Sequence, residues 1–458
     1  MDRIVRLAVA AAGLFSIGAP AALAQSAGAK APAGIERVQN VVVLYLENRS
    51  FDHLFGNFPG AEGLSRAGKR AIQTGEDGKR LAFLPDALDL RTSAKPRYDK
   101  LPDKLANRPY RLNDYYRMDE VLGSLVHAFH TQQNQINGGK MDRFALYSDA
   151  RGYAMAYWDG STLRLWDYAK RYTLADHFFH AAFGGSFLNH QWLICACTPV
   201  YPGADMEKIG VKFDAQGKLV REGYVTQDGY AVNTLQPVGG PFDPKGDPAL
   251  RLPVQDQPTI GDRLSAKNVA WAWYSGGWNE AEAGQEKPGT FSYHHQPFAF
   301  FKRFQKGGPD RQRHLKDLDD FVKDIDAGTL PPVAFYKPRS GINQHPSGSD
   351  VVKSDAHAAD LLDRLVKSKQ WPGMVVIVTY DENGGFWDHV PPPKRDRWGP
   401  GTRVPTIVVS PFARKGHVDH TSYDTTAILK LIELRWGLDP LGTADAAAKP
   451  LTGALRFR

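Results

Sequence analysis

Val41-Val42-Val43-Leu44-Tyr45-Leu46 runs straight into Glu47-Asn48-Arg49-Ser50-Phe51-Asp52-His53, and this junction decides the fold. Six consecutive apolar residues, half of them β-branched, read as a strand covered on both faces, as in a parallel sheet. Sheets of that kind bind ligands at the carboxyl ends of their strands. Glu47 and Asn48 stand at such an end, where they present two oxygen ligands or simply open a loop.

Working outward, Met374-Val375-Val376-Ile377-Val378-Thr379-Tyr380 repeats the pattern and ends in Asp381-Glu382-Asn383. Val333 to Tyr336, Val269 to Tyr274, Tyr172 to Phe178 and Val404 to Ser410 read as further strands. Spacings of three and four mark helices over Asp119 to Gln135, Ser161 to Tyr172, Asp355 to Lys369 with Ser354 or Asp355 as cap, Asp424 to Trp436, and a run starting at Ser186. The alternation predicts an α/β fold, a three-layer α/β/α sandwich whose sheet is largely parallel. Two turn-rich stretches, about 57–115 and 201–258, interrupt it as loop-rich insertions, the second with short hairpins. The core domain is expected over 37–445, with 446–458 as a C-terminal tail. There is no internal repeat.

The 458-residue chain is 42% hydrophobic and 23% charged, a composition with ample core. Residues 1–24 carry Arg3 and Arg6, an apolar run and a closing Ala22-Leu23-Ala24, the layout of a signal peptide. Export to the periplasm or the medium is expected, with 25–36 as a flexible leader. No later apolar run reaches the roughly 18 residues of a membrane span. The net charge of +7 favours anionic substrates only mildly, and no basic cluster of the nucleic-acid-binding kind is present. Cys195 and Cys197 are the only cysteines. A bridge across that spacing is expected to be strained, so both are read as buried structural thiols, although an exported protein tolerates a disulfide.

Two strand ends bearing acids and amides imply a cation. Glu47, Asp381 and Glu382 converging on one edge would repel one another unless neutralised. Hard oxygen ligands favour Ca, Mg or Mn, and carboxylates also bind Zn. Ser186 follows Gly184-Gly185 at a helix start, where first-turn N–H groups favour an anion; Asn189 lies on the same helical face. A serine needs a base or a metal to become nucleophilic. Leu188 breaks the G-x-S-x-G elbow, so metal activation fits better, and alone Ser186 also reads as a helix cap. His127 and His130 lie on or beside the helix drawn over Asp119 to Gln135. His294, His295 and His345 lie in proline-flanked loops, where histidine is often functional; cationic at mildly acidic pH, they would bind a phosphoryl group and protonate a leaving group.

Taken together, Glu47-Asn48-Arg49-Ser50-Phe51-Asp52-His53, Gly138-Gly139-Lys140-Met141-Asp142, His294-His295-Gln296-Pro297-Phe298 and the run Tyr380 to Pro392 resemble the bacterial phosphoesterase family of acid phosphatases and phospholipases C. The resemblance implies an alkaline-phosphatase-like core holding one divalent metal ion. It implies Glu47, Asn48, Ser186, Asp381 and Glu382 as metal ligands and Ser186 as the nucleophile. His127, Asn48, Asn189, His294, His295 and His345 are then expected around the phosphate; His130, Asp388 and His389 match less clearly. The serine in Ser186-Phe187-Leu188-Asn189-His190 looks like the acid phosphatase branch, whereas the phospholipase branch usually offers threonine.

These readings converge on an exported metal-dependent acid phosphatase that works through a phosphoserine on small phosphorylated substrates. A phospholipase C acting on phosphocholine-type diesters is the alternative, with phospholipid as substrate and Trp271, Trp273, Tyr274 and Trp278 as a choline box. A metal-free serine hydrolase and an exported phosphate- or glycan-binding protein are the other rivals. Asp52 and His53 are expected only to brace the acid cradle.

Overall fold

The computed structural model describes residues 31–457 except 286 and 288; the segment read as a signal peptide lies outside the described residues. Eight strands form the central sheet: β1 (Asn40–Leu46), β2 (Thr173–Ala175), β3 (Trp271–Ser275), β4 (Leu315–Lys316), β5 (Val333–Lys337), β6 (Met374–Tyr380), β7 (Thr406–Val409) and β8 (His417–Asp419). Their order is β4-β3-β5-β1-β6-β7-β2-β8. All neighbours run parallel except where β7 meets β6 and β2. The antiparallel direction of β7 is not legible in the sequence, because an apolar run is the same in either direction, and the short strands β4 and β8 are not among those read there.

Every residue of β1 and β6 is buried, so both sheet faces are covered. The helices around the sheet and its edge include α1 (Phe51–Phe55), α2 (Phe129–Ile136), α3 (Arg164–Arg171), α4 (Ser186–Cys195), α5 (Leu318–Ala327), α6 (Val351–Lys367) and α7 (Thr426–Trp436). They form packed groups, α3 and α5 against α6, and α4 against α7. Arg164 ties the first group together by bonding Asp360 and Asp363. The start of α6 lies earlier than its apolar spacing indicates, because Asp350 accepts from Lys353 N at 2.7 Å and caps it. Among the described residues no helix is long and apolar enough to cross a membrane.

The helix expected over Asp119 to Gln135 survives only as α2. Upstream of it the chain is irregular, because side chains capture the backbone: Tyr98 Oη accepts from Gly123 N at 2.8 Å and Asp149 Oδ1 from Val126 N at 2.7 Å. The 57–115 stretch is more than a surface excursion, since Leu84, Tyr98, Leu101 and Leu105 are buried. A hairpin of Lys212–Phe213 and Leu219–Arg221 does occur in 201–258. Residues 446–457 of the tail are docked, with Leu451 and Ala454 buried.

Cys195 and Cys197 form a disulfide, the state that an exported protein tolerates. The intervening Ala196 has φ 47°. This left-handed turn brings the two Cα atoms to 5.1 Å, inside the normal range for a bridge.

Candidate active site

Sheet register builds the acid edge. Leu46 pairs with Tyr380, so Glu47 and Asp381 are the next residues on adjacent parallel strands. Leu44 pairs with Tyr336 on the other side, which delivers Lys337 to the same edge. Lys337 is fully buried; its Nζ lies 2.7 Å from Glu47 Oε1 and 3.3 Å from Asp381 Oδ2.

The remaining members join this core. Ser186, the first residue of α4, donates Oγ–H to Glu47 Oε2 at 3.3 Å, and Asn48 Nδ2 donates to Ser186 Oγ at 3.3 Å. Asn48 Nδ2 also contacts Glu382 Oε1, while Asn48 N reaches Asp381 Oδ1 at 3.4 Å. Asn48 sits at φ 53°, a region asparagine tolerates better than most residues. Glu47, Asn48, Ser186, Asp381 and Glu382 therefore form one linked group.

The glycines beside Ser186 have a clear use. A Cβ on Gly184, at φ 85°, would stand 2.6 Å from Phe129 N, and one on Gly185 would stand 2.7 Å from His127 O. The segment that approaches closely is the chain's own 127–129. Gln132 ties it down, accepting from Gly184 N at 2.8 Å and donating to Asn383 Oδ1 at 2.7 Å.

Imidazoles surround the acids. His295 Nε2 is 2.5 Å from Glu47 Oε1, and His127 Nε2 is 3.8 Å from Glu382 Oε1. The rings of His294 and His295 lie 4.6 Å apart, and those of His127 and His345 5.7 Å apart. His190, overlooked in the sequence, stacks on His295 and places Nδ1 3.8 Å from Asp381 Oδ2. Its signal is the spacing of four from Ser186 on α4. Lys337 was also overlooked; its signal is a lysine closing a buried strand that neighbours β1.

Several expected neighbours stand elsewhere. Asn189 uses its amide on Ala182, Gly184 and Gly185, through Ala182 N and the carbonyls of all three, so it shapes the Ser186 loop instead of facing the edge. His130 pairs with Glu222 at 3.0 Å. Asp388 and His389 join Asp52 and Arg403 in a separate buried cluster, where His389 Nδ1 contacts Asp52 Oδ2 at 2.6 Å and Arg403 Nε donates to Asp388 Oδ1 at 2.8 Å. His53 donates Nδ1–H to Ala156 O at 2.8 Å and accepts from Arg49 at 3.1 Å.

The electrostatics identify what the group lacks. Burial alone would raise Glu47, but Lys337 and His295 hold it well below the usual carboxylate range. Burial and Glu47 push Asp381 up to about 7, and burial and Asp381 push Glu382 well above its ordinary value. Three carboxylates facing one permanent cation are short of positive charge. Asn48 Oδ1 is buried without a hydrogen-bond partner among the described residues. Acids, amide and hydroxyl together fit a divalent cation, and Glu47, His190 and His295 place donor atoms within 4.8 Å of one another.

His127, His294 and His295 differ from the cationic set expected. Burial takes His127 down to about 4, lowers His295, and with His295 takes His294 well below its ordinary value. Since His127 Nδ1 donates to Leu125 O at 2.6 Å, the neutral ring turns an acceptor Nε2 toward the acids.

The non-hemolytic phospholipase C of Pseudomonas aeruginosa is 23% identical over 450 residues, 88% of this chain and 54% of that protein; the chain spans about half its length. Phospholipase C B of Mycobacterium tuberculosis is 25% identical, covering 93% of this chain and 79% of that protein. A crystal structure of a protein in the alkaline phosphatase superfamily from Vibrio parahaemolyticus aligns with TM-score 0.36 and 10% identity over 71% of this chain and 68% of that one. The model of the phosphoesterase family matches residues 38–439, nearly the whole described chain, and the chain belongs to that family.

Proposed function

We propose that the chain is an exported, metal-dependent phosphoester hydrolase that acts on phosphate monoesters through a phosphoserine at Ser186. The observation that carries this reading is the Ser186 hydroxyl, 3.3 Å from the one carboxylate kept ionised, Glu47, inside a group of acids short of positive charge. Glu47, Asn48, Ser186, Asp381 and Glu382 would hold one divalent ion. Such an ion supplies Lewis-acid stabilisation of charge on phosphoryl oxygens.

The chain's own residues do the rest. Ser186 Oγ attacks phosphorus, and its proton passes to Glu47 Oε2. The bond to the leaving oxygen breaks, and that oxygen takes a proton from water. Asn48 Nδ2, on Ser186 Oγ, orients the nucleophile. In the second step water attacks phosphorus and yields its proton to a neutral imidazole, a role His127 fits with Nε2 as acceptor; the Ser186 Oγ–P bond breaks, Oγ takes back the proton held on Glu47 Oε2, and inorganic phosphate leaves. Part-exposed His294 and His345 border the route to solvent. Asn189 acts as a positioning residue for the Ser186 loop.

A phospholipase C activity is the second reading, favoured by the names of the relatives. The aromatic box considered for choline does not support it: Trp271, Trp273, Tyr274 and Trp278 are all core residues, at most 3% exposed. Ser186→Ala is expected to lower turnover of p-nitrophenyl phosphate by about 10³-fold or more with an unchanged melting temperature. Wild-type rates in that variant would remove Ser186 from the mechanism. Parallel assay of p-nitrophenylphosphorylcholine decides between the readings, and faster turnover of this diester would make the lipase reading the better one.

A further inference from the structure

On the same sheet edge as the acids, but at its far end, β2 and β8 run parallel with Ala175 opposite Asp419. The next residues on these strands are Asp176 and His420, locked by an Asp176 N to Asp419 O bond of 3.2 Å. His177 follows at once. Asp176 Oδ1 lies 2.9 Å from His177 Nδ1, and Asp176 Oδ2 lies 2.8 Å from His420 Nδ1. Donor atoms of all three residues fall within 4.8 Å of one another.

The surroundings of Asp176 are unusual for a carboxylate. It is fully buried, and although burial would raise it, the His177 hydrogen bond and the Glu62 backbone N–H, 2.7 Å from Oδ2, keep it ionised. Arg403 donates to the Asp176 carbonyl oxygen and acts on the carboxylate only through space, its charge being shared with Asp52 and Asp388. The side chains that hydrogen-bond the carboxylate are thus two imidazoles, neither of them a permanent cation. A buried, ionised carboxylate bonded by two imidazoles presents oxygen and nitrogen donors together to a cation. Solvent reaches the cluster, since the side chains of His177 and His420 are 23% and 57% exposed.

We propose that Asp176, His177 and His420 form a second divalent-metal site, distinct from the acid edge and selective for a transition ion of the Zn²⁺ class. Two imidazoles and one carboxylate make a borderline donor set, unlike the oxygen-rich acid edge that suits hard ions. Bond lengths of about 2.0–2.2 Å to nitrogen and oxygen require the donors to separate only slightly from their present contacts. Each imidazole must turn an unprotonated nitrogen to the ion, so protonation competes with binding and affinity falls as pH drops. The site would clamp the ends of β2 and β8 and leave coordination positions open to water.

The test uses tag-free, chelator-stripped full-length protein titrated calorimetrically with Zn²⁺ alone, for wild type, His177→Ala and His420→Ala. Wild type is expected to take up one equivalent that each variant binds at least tenfold more weakly, and Zn²⁺ is expected to raise its melting temperature more than theirs. Metal-free melts of all three proteins check that the variants fold. Co²⁺ absorption with nitrogen-ligand bands in wild type, lost in His420→Ala, is the independent expected signature. Identical stoichiometry and affinity in all three proteins would overturn the proposal and leave a hydrogen-bonded His–Asp–His cluster.

Discussion

At the scale of single residues, Lys337 is the most consequential side chain that the motifs did not announce. Its ammonium takes one oxygen from Glu47 and one from Asp381 and leaves Glu47 Oε2 to Ser186. One lysine and one divalent ion would together balance three carboxylates. Removing one partner of a buried ion pair costs about 3–5 kcal/mol, so Lys337→Gln is expected to destabilise the metal-free chain by that order. A divalent ion then has more uncompensated charge to neutralise. Its stabilising effect in thermal melts, with and without added metal, should exceed that in wild type. A variant with a lower melting temperature and no extra response to metal would show that Lys337 merely fills space.

At the scale of elements, the Ser186 loop depends on two backbones pressed together. Gly184 takes φ 85°, and a Cβ there would meet Phe129 N, Phe129 Cα and Ala128 C, none of which can rotate away. Gly184→Ala is expected to cost about 1–3 kcal/mol in strain and, by displacing His127 and Ser186 by a fraction of an ångström, to lower kcat/KM by about 10²-fold. Kinetics and melts on the same sample measure both. This packing also explains where the sequence misleads. Val121, Leu122, Leu125, Val126 and Phe129 have helical spacing, yet Tyr98 and Asp149 claim the backbone of 123–126 from a distance that local periodicity cannot register. Strands β1 and β6 were legible because their apolar runs are long and end abruptly in acids. Lys337 and His190 were not, because their meaning depends on which strand neighbours β1 and on which face of α4 meets it.

At the scale of the molecule, residues from positions 47, 186, 337 and 381 meet at one edge only when the sheet is assembled, so the charge of that edge is a cost that the whole fold bears. Asp381 shows the sign. Its pKa rises from 3.8 to about 7 through burial and Glu47, so its favourable contribution is complete below about 3.8 and lost as pH climbs through 7. The metal-free chain should therefore lose stability between about pH 4 and 7. Glu433, raised to about 9, and Asp355, raised to about 6, both chiefly by burial, act with the same sign. They lie outside the edge and cancel when loaded and stripped protein are compared. A divalent ion favours the ionised acids, and at 100 times its Kd contributes about 2.7 kcal/mol, with affinity growing as the carboxylates deprotonate. The difference in melting temperature between metal-loaded and chelator-stripped protein is thus expected to widen steadily from pH 4 to 7, in parallel with recovered phosphatase activity. A gap that stays constant over this range would mean that Asp381 does not face the ion, and the ligand set would then contract to Glu47 with its histidines.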